Sequence, residues 1–560
     1  IVIEINLPPG PVPGGPPIRL RASELTPSIR DSLGIPYKML DSTLQMTFVV
    51  DSAALSRLNL NFIAQRVHLQ EGKGYFRDWA QLTQKRLQEL GMFQYFLINY
   101  NVVKKDRLVT LIDLQLAPRY QIKAGAETFT RDINFNANLI PNVGANFGLR
   151  NKNAFQHSER LEFGFSGSVG WNSLNLGTPN YYEFGGEASL QFQKFLGVRP
   201  FLWILPDKIA RDLSRFSPHT QLTTNFRLEN WQGITQFTPG FSLTYRWNHI
   251  PFRDRMVSRF TPISIDYIDP NIDRQEGFRS IVQQMPALLQ RDFARRFSSR
   301  LQYSFTHQNY RRTRSHPTYW YQINVEYGGN IPFLLDQLAT QFDQDQDGGD
   351  NRFLDSIFYG QYLRGGLEGK LFIPTGASTE LVLRGRIGAG TPFNGTPILP
   401  KESRFFTGGI NGMRGWQSNT LGPGRIGSAY DWGVADTQAV QDVRSLLGTG
   451  GEYALEMNAE FRFDAGTYLE LALFTDLGNV WMSRRTEAAF GTSQASLSGQ
   501  NLVLGWDAGI GFRFDFSFLI LRVDLGQQLF APDIGWVPRN PAVDRPNSRR
   551  QVNLGLGYPF

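Results

Sequence analysis

The chain has 560 residues, more than one ordinary domain holds, so at least two units are expected. It is 41% hydrophobic with a mean hydropathy of −0.30 and lacks any run of about 18 apolar residues, which excludes a bundle of membrane-spanning helices. With no Cys, disulfides and thiolate metal sites are ruled out; the net charge of +7 fits a weak pull toward acidic headgroups and ordinary loop charge equally. Its 43 Phe, 20 Tyr and 55 Gly instead suit strands that meet lipid on one face.

The chain starts at Ile1 with neither Met nor leader, as a mature or truncated form would. Residues 1–55 read as a partial or atypical module with its linker: Ile1 to Leu7 as the last strand of a preceding module, then a Pro/Gly-rich stretch to Pro17. Residues 56–118 read as a small α+β unit. Trp79, Leu82, Leu87 and Leu90 recur at helical spacing over Phe76 to Leu90, and Gly91 caps the helix. Two strands follow, near 96–103 and 108–116, joined by a Lys-Lys-Asp-Arg turn.

From Arg119 to Phe560 the pattern changes to period two. In Asn501 to Phe516, Leu502, Leu504, Trp506, Ala508, Ile510, Phe512 and Phe514 share one face, while Gly505, Asp507, Gly509, Gly511, Arg513 and Asp515 share the other. Glu452 to Asp464 repeats this, and similar stretches lie near 160–173, 181–197, 236–250, 297–312, 359–373 and 378–391. A wall with large apolar groups outside and Gly or charge inside is what a lipid-facing barrel with a wet lumen requires. The reading is an all-β transmembrane barrel over 119–560, with about 16 antiparallel strands and a long inserted loop at 392–448. Long connections near 270–296, 331–358, 392–448, 483–500 and 528–547 alternate with tight turns near 250–254, 374–376 and 465–466. The apolar connection from Gly197 to Ser217 falls on the short-turn side and breaks that rule.

Inside the long loop the chain reads Phe-Phe-Thr-Gly-Gly at 405–409 and Met-Arg-Gly-Trp at 413–416. Gly408, Gly409 and Gly415 let the backbone turn tightly around Met413, Arg414 and Trp416. Two acids, Glu460 and Asp476, lie on lumen faces of the next two strands by parity, and Asp476 sits in Phe-Thr-Asp-Leu-Gly-Asn-Val-Trp. A guanidinium folded into the lumen would find both carboxylates in fork geometry; the alternative is two solvated lumen charges. These motifs, with Leu-Gly-Pro-Gly at 421–424 and Asn-Ala-Glu-Phe-Arg-Phe at 458–463, resemble the outer-membrane protein 85 superfamily over about 500 residues. The style is closest to its TamL-type translocation and assembly members, relatives of BamA and TamA. Trp416 stands where Phe or Tyr is more usual, and one POTRA-like module (a βααββ unit, here 56–118) replaces the usual several.

The resemblance implies a Gram-negative outer membrane, a periplasmic N-terminal module, and a loop Arg that contacts acids at the Glu460 and Asp476 positions. It also implies a lateral seam between the first and last strands, here Ile122, Ala124 and Ala126 against Leu554, Leu556, Tyr558 and Phe560. The residues alone leave open whether the small side chains at 124–126 weaken that seam or only make room in the lumen. Implied partners are unfolded outer-membrane or secreted client proteins, outer-membrane lipids, and a TamB-like or other periplasmic subunit; implied exclusions are nucleic acid and any cofactor. Asp343, Asp345 and Asp347 match the start of a calcium loop, yet Leu354 stands where a bidentate Glu would be required, and solvated charge is the favoured reading. No nucleotide loop, nucleophile elbow or paired-His motif is present, so an enzyme is not expected. The expected activity is insertion or export of clients through the seam without nucleotide hydrolysis, with a two-partner-secretion transporter or a passive porin as the alternatives.

Overall fold

The computed structural model describes residues 2–7, 37–41, 47–51, 58–69, 75–104, 107–130, 141–170, 181–197, 216–231, 234–250, 253–271, 279, 282–283, 290–309, 316–340, 352–353, 357–426, 450–466, 468–489, 493–516, 520–537, 550–556 and 558–559. Asp343, Asp345, Asp347 and Phe560 lie outside them.

The N-terminal unit is a five-stranded antiparallel sheet with two helices. Its elements are β1 (Val2–Leu7), β2 (Tyr37–Asp41), β3 (Thr47–Asp51), α1 (Leu60–Ala64), α2 (Arg77–Leu90), β4 (Phe93–Lys104) and β5 (Arg107–Leu116). The sheet order is β2-β3-β1-β5-β4. Here the structure departs from the sequence reading. Rather than ending a separate module, β1 pairs along β5 from Val2↔Asp113 to Leu7↔Leu108, so residues on both sides of the 55/56 boundary share one sheet. Without β1, that edge of β5 would present unpaired N–H and C=O groups. Gly91 ends α2 in the left-handed region (φ 64°), its N–H donating to the Gln88 carbonyl. Leu87 and Leu90 then close a core with Phe62, Ile63, Val67, Met92, Ile112 and Leu114.

Among the described residues, the rest is a closed barrel of sixteen long antiparallel strands. They are β6 (Tyr120–Thr130), β7 (Pro141–Asn151), β8 (Arg160–Gly170), β9 (Tyr181–Phe192), β10 (His219–Trp231), β11 (Ile234–Ile250), β12 (Arg253–Asn271), β13 (Arg296–Gln308), β14 (Thr318–Gly328), β17 (Gln361–Pro374), β18 (Thr379–Phe393), β19 (Tyr453–Asp464), β20 (Leu469–Trp481), β21 (Gly505–Asp515), β22 (Ile520–Ala531) and β24 (Arg550–Leu556). Two-residue strands β15 (Arg352–Phe353), β16 (Ile357–Phe358) and β23 (Gly535–Trp536), and helices α3 (Asn330–Thr340) and α4 (Arg484–Ala489), belong to connections at the rim far from the N-terminal unit. An eleven-residue strand at about 3.3 Å per residue, tilted about 45°, rises about 25 Å, the height of an apolar bilayer band.

Burial in this wall is inverted relative to a water-soluble protein. Ile387 (54% exposed), Leu473 (52%) and Ile510 (46%) face outward, while Glu460, Asp476, Arg513 and Asp524 are fully buried within. Only an apolar solvent outside makes that distribution favourable, which separates a lipid-facing barrel from a soluble sandwich.

The 193–218 connection, unexplained by sequence, lies at the rim that carries the N-terminal unit, and its described ends are what that unit holds. Arg66 donates to the Gln193 carbonyl at 2.5 Å, and the buried Arg86 donates to Ser217 Oγ at 2.7 Å. Nearby, Ser158 Oγ donates to the Leu90 carbonyl and Arg160 to the Glu89 carbonyl. Phe195 and Phe216 in turn pack on Tyr245 and Trp247 of the outward face of β11.

Candidate functional site: a loop tip anchored in the lumen

The connection from β18 to β19 leaves the far rim and folds back into the barrel. Its arms are zipped by an antiparallel bridge between Phe405 and Gly451, and its base is tied to the β12–β13 connection by a two-pronged Arg404–Asp292 ion pair at 2.8 Å. At the tip, Gly412 N–H donates to the Gly409 carbonyl, Trp416 N–H to Met413, and Gly409 N–H to Trp416. These turns place Arg414 and Gly415 at the apex. Gly408 and Gly409 sit at φ 107° and 96°, backbone conformations that side chains rarely tolerate. Met413, Trp416 and Leu421 are buried together against Ala531 of β22.

Arg414 is fully buried at mid-strand depth. Its Nε and Nη2 donate to the two oxygens of Asp476, each at 2.9 Å, its Nη1 donates to Glu460, and its guanidinium lies 3.5 Å from the Phe474 ring centroid. The structure thus brings together the three side chains that the sequence singled out. A planar fork over an aromatic face is chemistry that Lys cannot reproduce.

The surroundings hold more than the sequence indicated. Glu460 also pairs with Arg462 (2.7 Å) and Arg513 (3.0 Å); Arg513 reaches Asp524 (3.0 Å), and Asp524 reaches Arg522 (3.3 Å). Asp507 stands opposite Asp476 in the β20/β21 register, and the Gly415 N–H donates to it at 2.9 Å. Four carbonyls of the apex each take a side-chain donor. Asn458 serves Gly412, Gln528 serves Gly415, Arg522 serves Ile410, and Asn553 of β24 serves Arg414. Five strands, β19 to β22 and β24, therefore hold one loop tip. Period two placed Asp507 and Arg513 on the lumen face, but parity does not say which strand-to-strand pairs meet, and these partners, with Asp524, were missed.

The tip fits because the wall leaves room for it. A methyl built on Gly526 of β22 would lie 2.6 Å from the Arg414 carbonyl oxygen, and one on Gly415 would lie 2.7 Å from Asp507 Cβ. Gly526→Val is accordingly expected to expel the tip while leaving the barrel closed. Limited proteolysis of the folded variant should cut within 405–426, where the parent chain resists; equal resistance would show that the tip tolerates a shifted seat.

Of the seam residues, Ile122 is 67% exposed and Ala124 is also exposed, on the outward face of β6. Leu554 lies outward on β24, between the buried, lumen-facing Asn553 and the half-buried Gly555. Ala126 and Leu556 lie within the two strands, and Tyr558 follows β24, its hydroxyl donating to Glu470 at 3.2 Å.

Comparison with known proteins agrees with this architecture. Residues 277–558 match the Omp85 superfamily domain. A 116-residue stretch is 30% identical to the outer membrane protein assembly factor BamA of Neisseria meningitidis serogroup B, covering 20% of this chain and 13% of that protein. The chain thus spans a small part of that relative. Among solved structures, BamA from Haemophilus ducreyi lacking POTRA domains 1–3 superposes with a TM-score of 0.56 at 13% identity, covering 93% of this chain and 89% of that one. CdiB from Acinetobacter baumannii superposes with a TM-score of 0.48 at 11% identity, covering 89% and 71%.

Proposed function

Because the chain belongs to the Omp85 superfamily, we propose that it is a non-enzymatic outer-membrane factor, of TamL type, that inserts or exports client polypeptides through the β24/β6 seam. The N-terminal unit acts as a POTRA-type module on the periplasmic side, receives unfolded outer-membrane or secreted clients, and meets a TamB-like or other periplasmic subunit. One observation carries the reading: the buried loop tip holds β24, the last strand of the barrel, from inside. β24 closes the barrel against β6, and a strand edge freed at such a seam templates pairing with an incoming strand. The Asn553–Arg414 hydrogen bond (2.9 Å) joins the seam strand to the buried loop tip, so undocking of the tip and freeing of β24 are linked events.

No nucleotide is needed. A client strand gains backbone pairing and apolar burial in lipid, which supplies the driving force. A second reading, export of one dedicated substrate through the pore, draws on a polar chamber of about 890 Å³ beside the loop, lined by Gln221, Thr223, Ser242, Thr244, Arg259 and Gln302.

Reconstitution separates the two. Liposomes bearing the purified chain should fold a urea-unfolded small barrel protein faster than liposomes bearing an unrelated porin. No acceleration, together with large steady conductance, would favour the dedicated pore.

A further inference from the structure

Diametrically opposite the seam, at the eighth and ninth long strands, the connection after β14 opens with α3, whose apolar side is exposed among the described residues. Ile331, Leu334, Leu335 and Leu338 follow the i, i+3, i+4, i+7 spacing of one helix face. Leu334 is 61%, Leu335 43% and Leu338 48% exposed. The other side is engaged: Pro332 is buried, and Asp336 accepts a hydrogen bond from the Tyr359 hydroxyl at 3.1 Å.

The helix start is fixed to the outer flank of the barrel. Arg300 points into the lumen toward Asp266, so Ser299 beside it in β13 faces outward, yet Ser299 is only 1% exposed because the helix start covers it. Gly329, at φ 76°, donates its N–H to the Ser299 carbonyl at 2.8 Å; Ser299 Oγ donates to Asn330 Oδ1 at 3.0 Å and accepts from the Ile331 N–H at 3.2 Å. Three residues before Asn330, Tyr327 stacks on Phe393 with centroids 6.0 Å apart, an aromatic pair on the outward face at the far rim. Directly below it on the same face of β14 are Val325 (44% exposed) and Ile323 (41%). The leucine stripe therefore continues the lipid-facing band at the height where a bilayer ends.

We propose that α3 is an interfacial helix that lies in the outer leaflet, its Leu334, Leu335 and Leu338 in the boundary between headgroups and acyl chains. A short helix with one apolar face, fixed at the rim of an apolar wall, is stable in that layer and poorly hydrated above it. It anchors the wall that faces away from the seam. This inference stands on the barrel and its lipid face and is independent of how clients are handled.

The chain has no native Cys, so single labels have no background. Leu334→Cys, Leu338→Cys and Gln337→Cys, each carrying an environment-sensitive fluorophore, would be reconstituted as full chains in liposomes, with Ile387→Cys as the lipid-exposed reference. Nitroxide placed high on the acyl chain should quench the 334 and 338 probes at least about twofold more than the 337 probe, and aqueous iodide should show the reverse order. Iodide access at 334 and 338 equal to that at 337, without nitroxide quenching, would place the helix in water and overturn the proposal. Shielding from both quenchers would overturn it too, since a protein surface would then cover the leucines. Replacing Leu335 and Leu338 with Ser should abolish nitroxide quenching of a probe at 334 while the heat-induced gel shift of the folded barrel persists.

Discussion

Replacing Arg414 with Ala should lower the melting temperature of the barrel and free the loop tip. The substitution leaves two buried carboxylates with less compensation, and the loss falls unequally. Glu460 keeps Arg462 and Arg513. Asp476 loses both prongs of its fork and retains the Asn458 amide and the backbone N–H of residue 414, while Asp507 stands opposite it. Stranding a buried charge in this way costs about 3–5 kcal/mol. Asp476→Asn should consequently weaken the tip more than Glu460→Gln. Arg414→Lys should recover little, because a point charge cannot serve both oxygens of Asp476 and stack on Phe474. Heat-dependent gel mobility and circular-dichroism melting read the stability, and single-channel recordings read the loop, whose release should raise conductance. Melting and conductance equal to those of the parent chain would show that the ion pairs are spectators.

The second large effect is expected at the seam. Cys pairs introduced at 122 or 124 on β6 and at 552 or 554 on β24 face outward on the two closing strands. A disulfide between them holds the strands in register. Client folding in the liposome assay should fall to the level of an unrelated porin when a pair is oxidised and recover on reduction. A crosslinked chain that folds clients at full rate would rule out passage through this seam. The two experiments also inform each other: with the Asn553 bond to the tip loosened, Arg414→Ala should let the seam pairs crosslink over a wider set of registers.

Much of this molecule can be read from period two. Alternation between large apolar groups and Gly or charge places Ile510 outward and Arg513 inward whatever else the chain does, because successive side chains in a strand must point to opposite faces. The loop motif was equally legible, since Gly408, Gly409 and Gly415 permit a turn that few other residues could make. Boundaries were less so. The strand read from Asn501 begins at Gly505, because the apolar residues before it, Leu502 and Val503, belong to the far-rim connection.

What the sequence could not carry is any partner chosen by three-dimensional register. Ile1 to Leu7 reads as the last strand of a preceding module, and Val2–Leu7 becomes part of the N-terminal sheet only because β5 offers it an edge. The leucines of α3 fall in a stretch read only as a long connection, 331–358, and only the fold shows them as an exposed helix face at the rim. In the lumen, parity alone puts a row of arginines and acids on one surface. Which of them meet is decided by the stagger between strands and by where the loop tip comes to rest, so Arg513 with Asp524, Asp507 with the Gly415 N–H, and Asn553 with the Arg414 carbonyl appear only once the barrel closes. Side-chain direction is a local property of the backbone, fixed by the chain itself; the pairing of buried charges depends on distances across strands far apart in sequence, and only the closed sheet sets those.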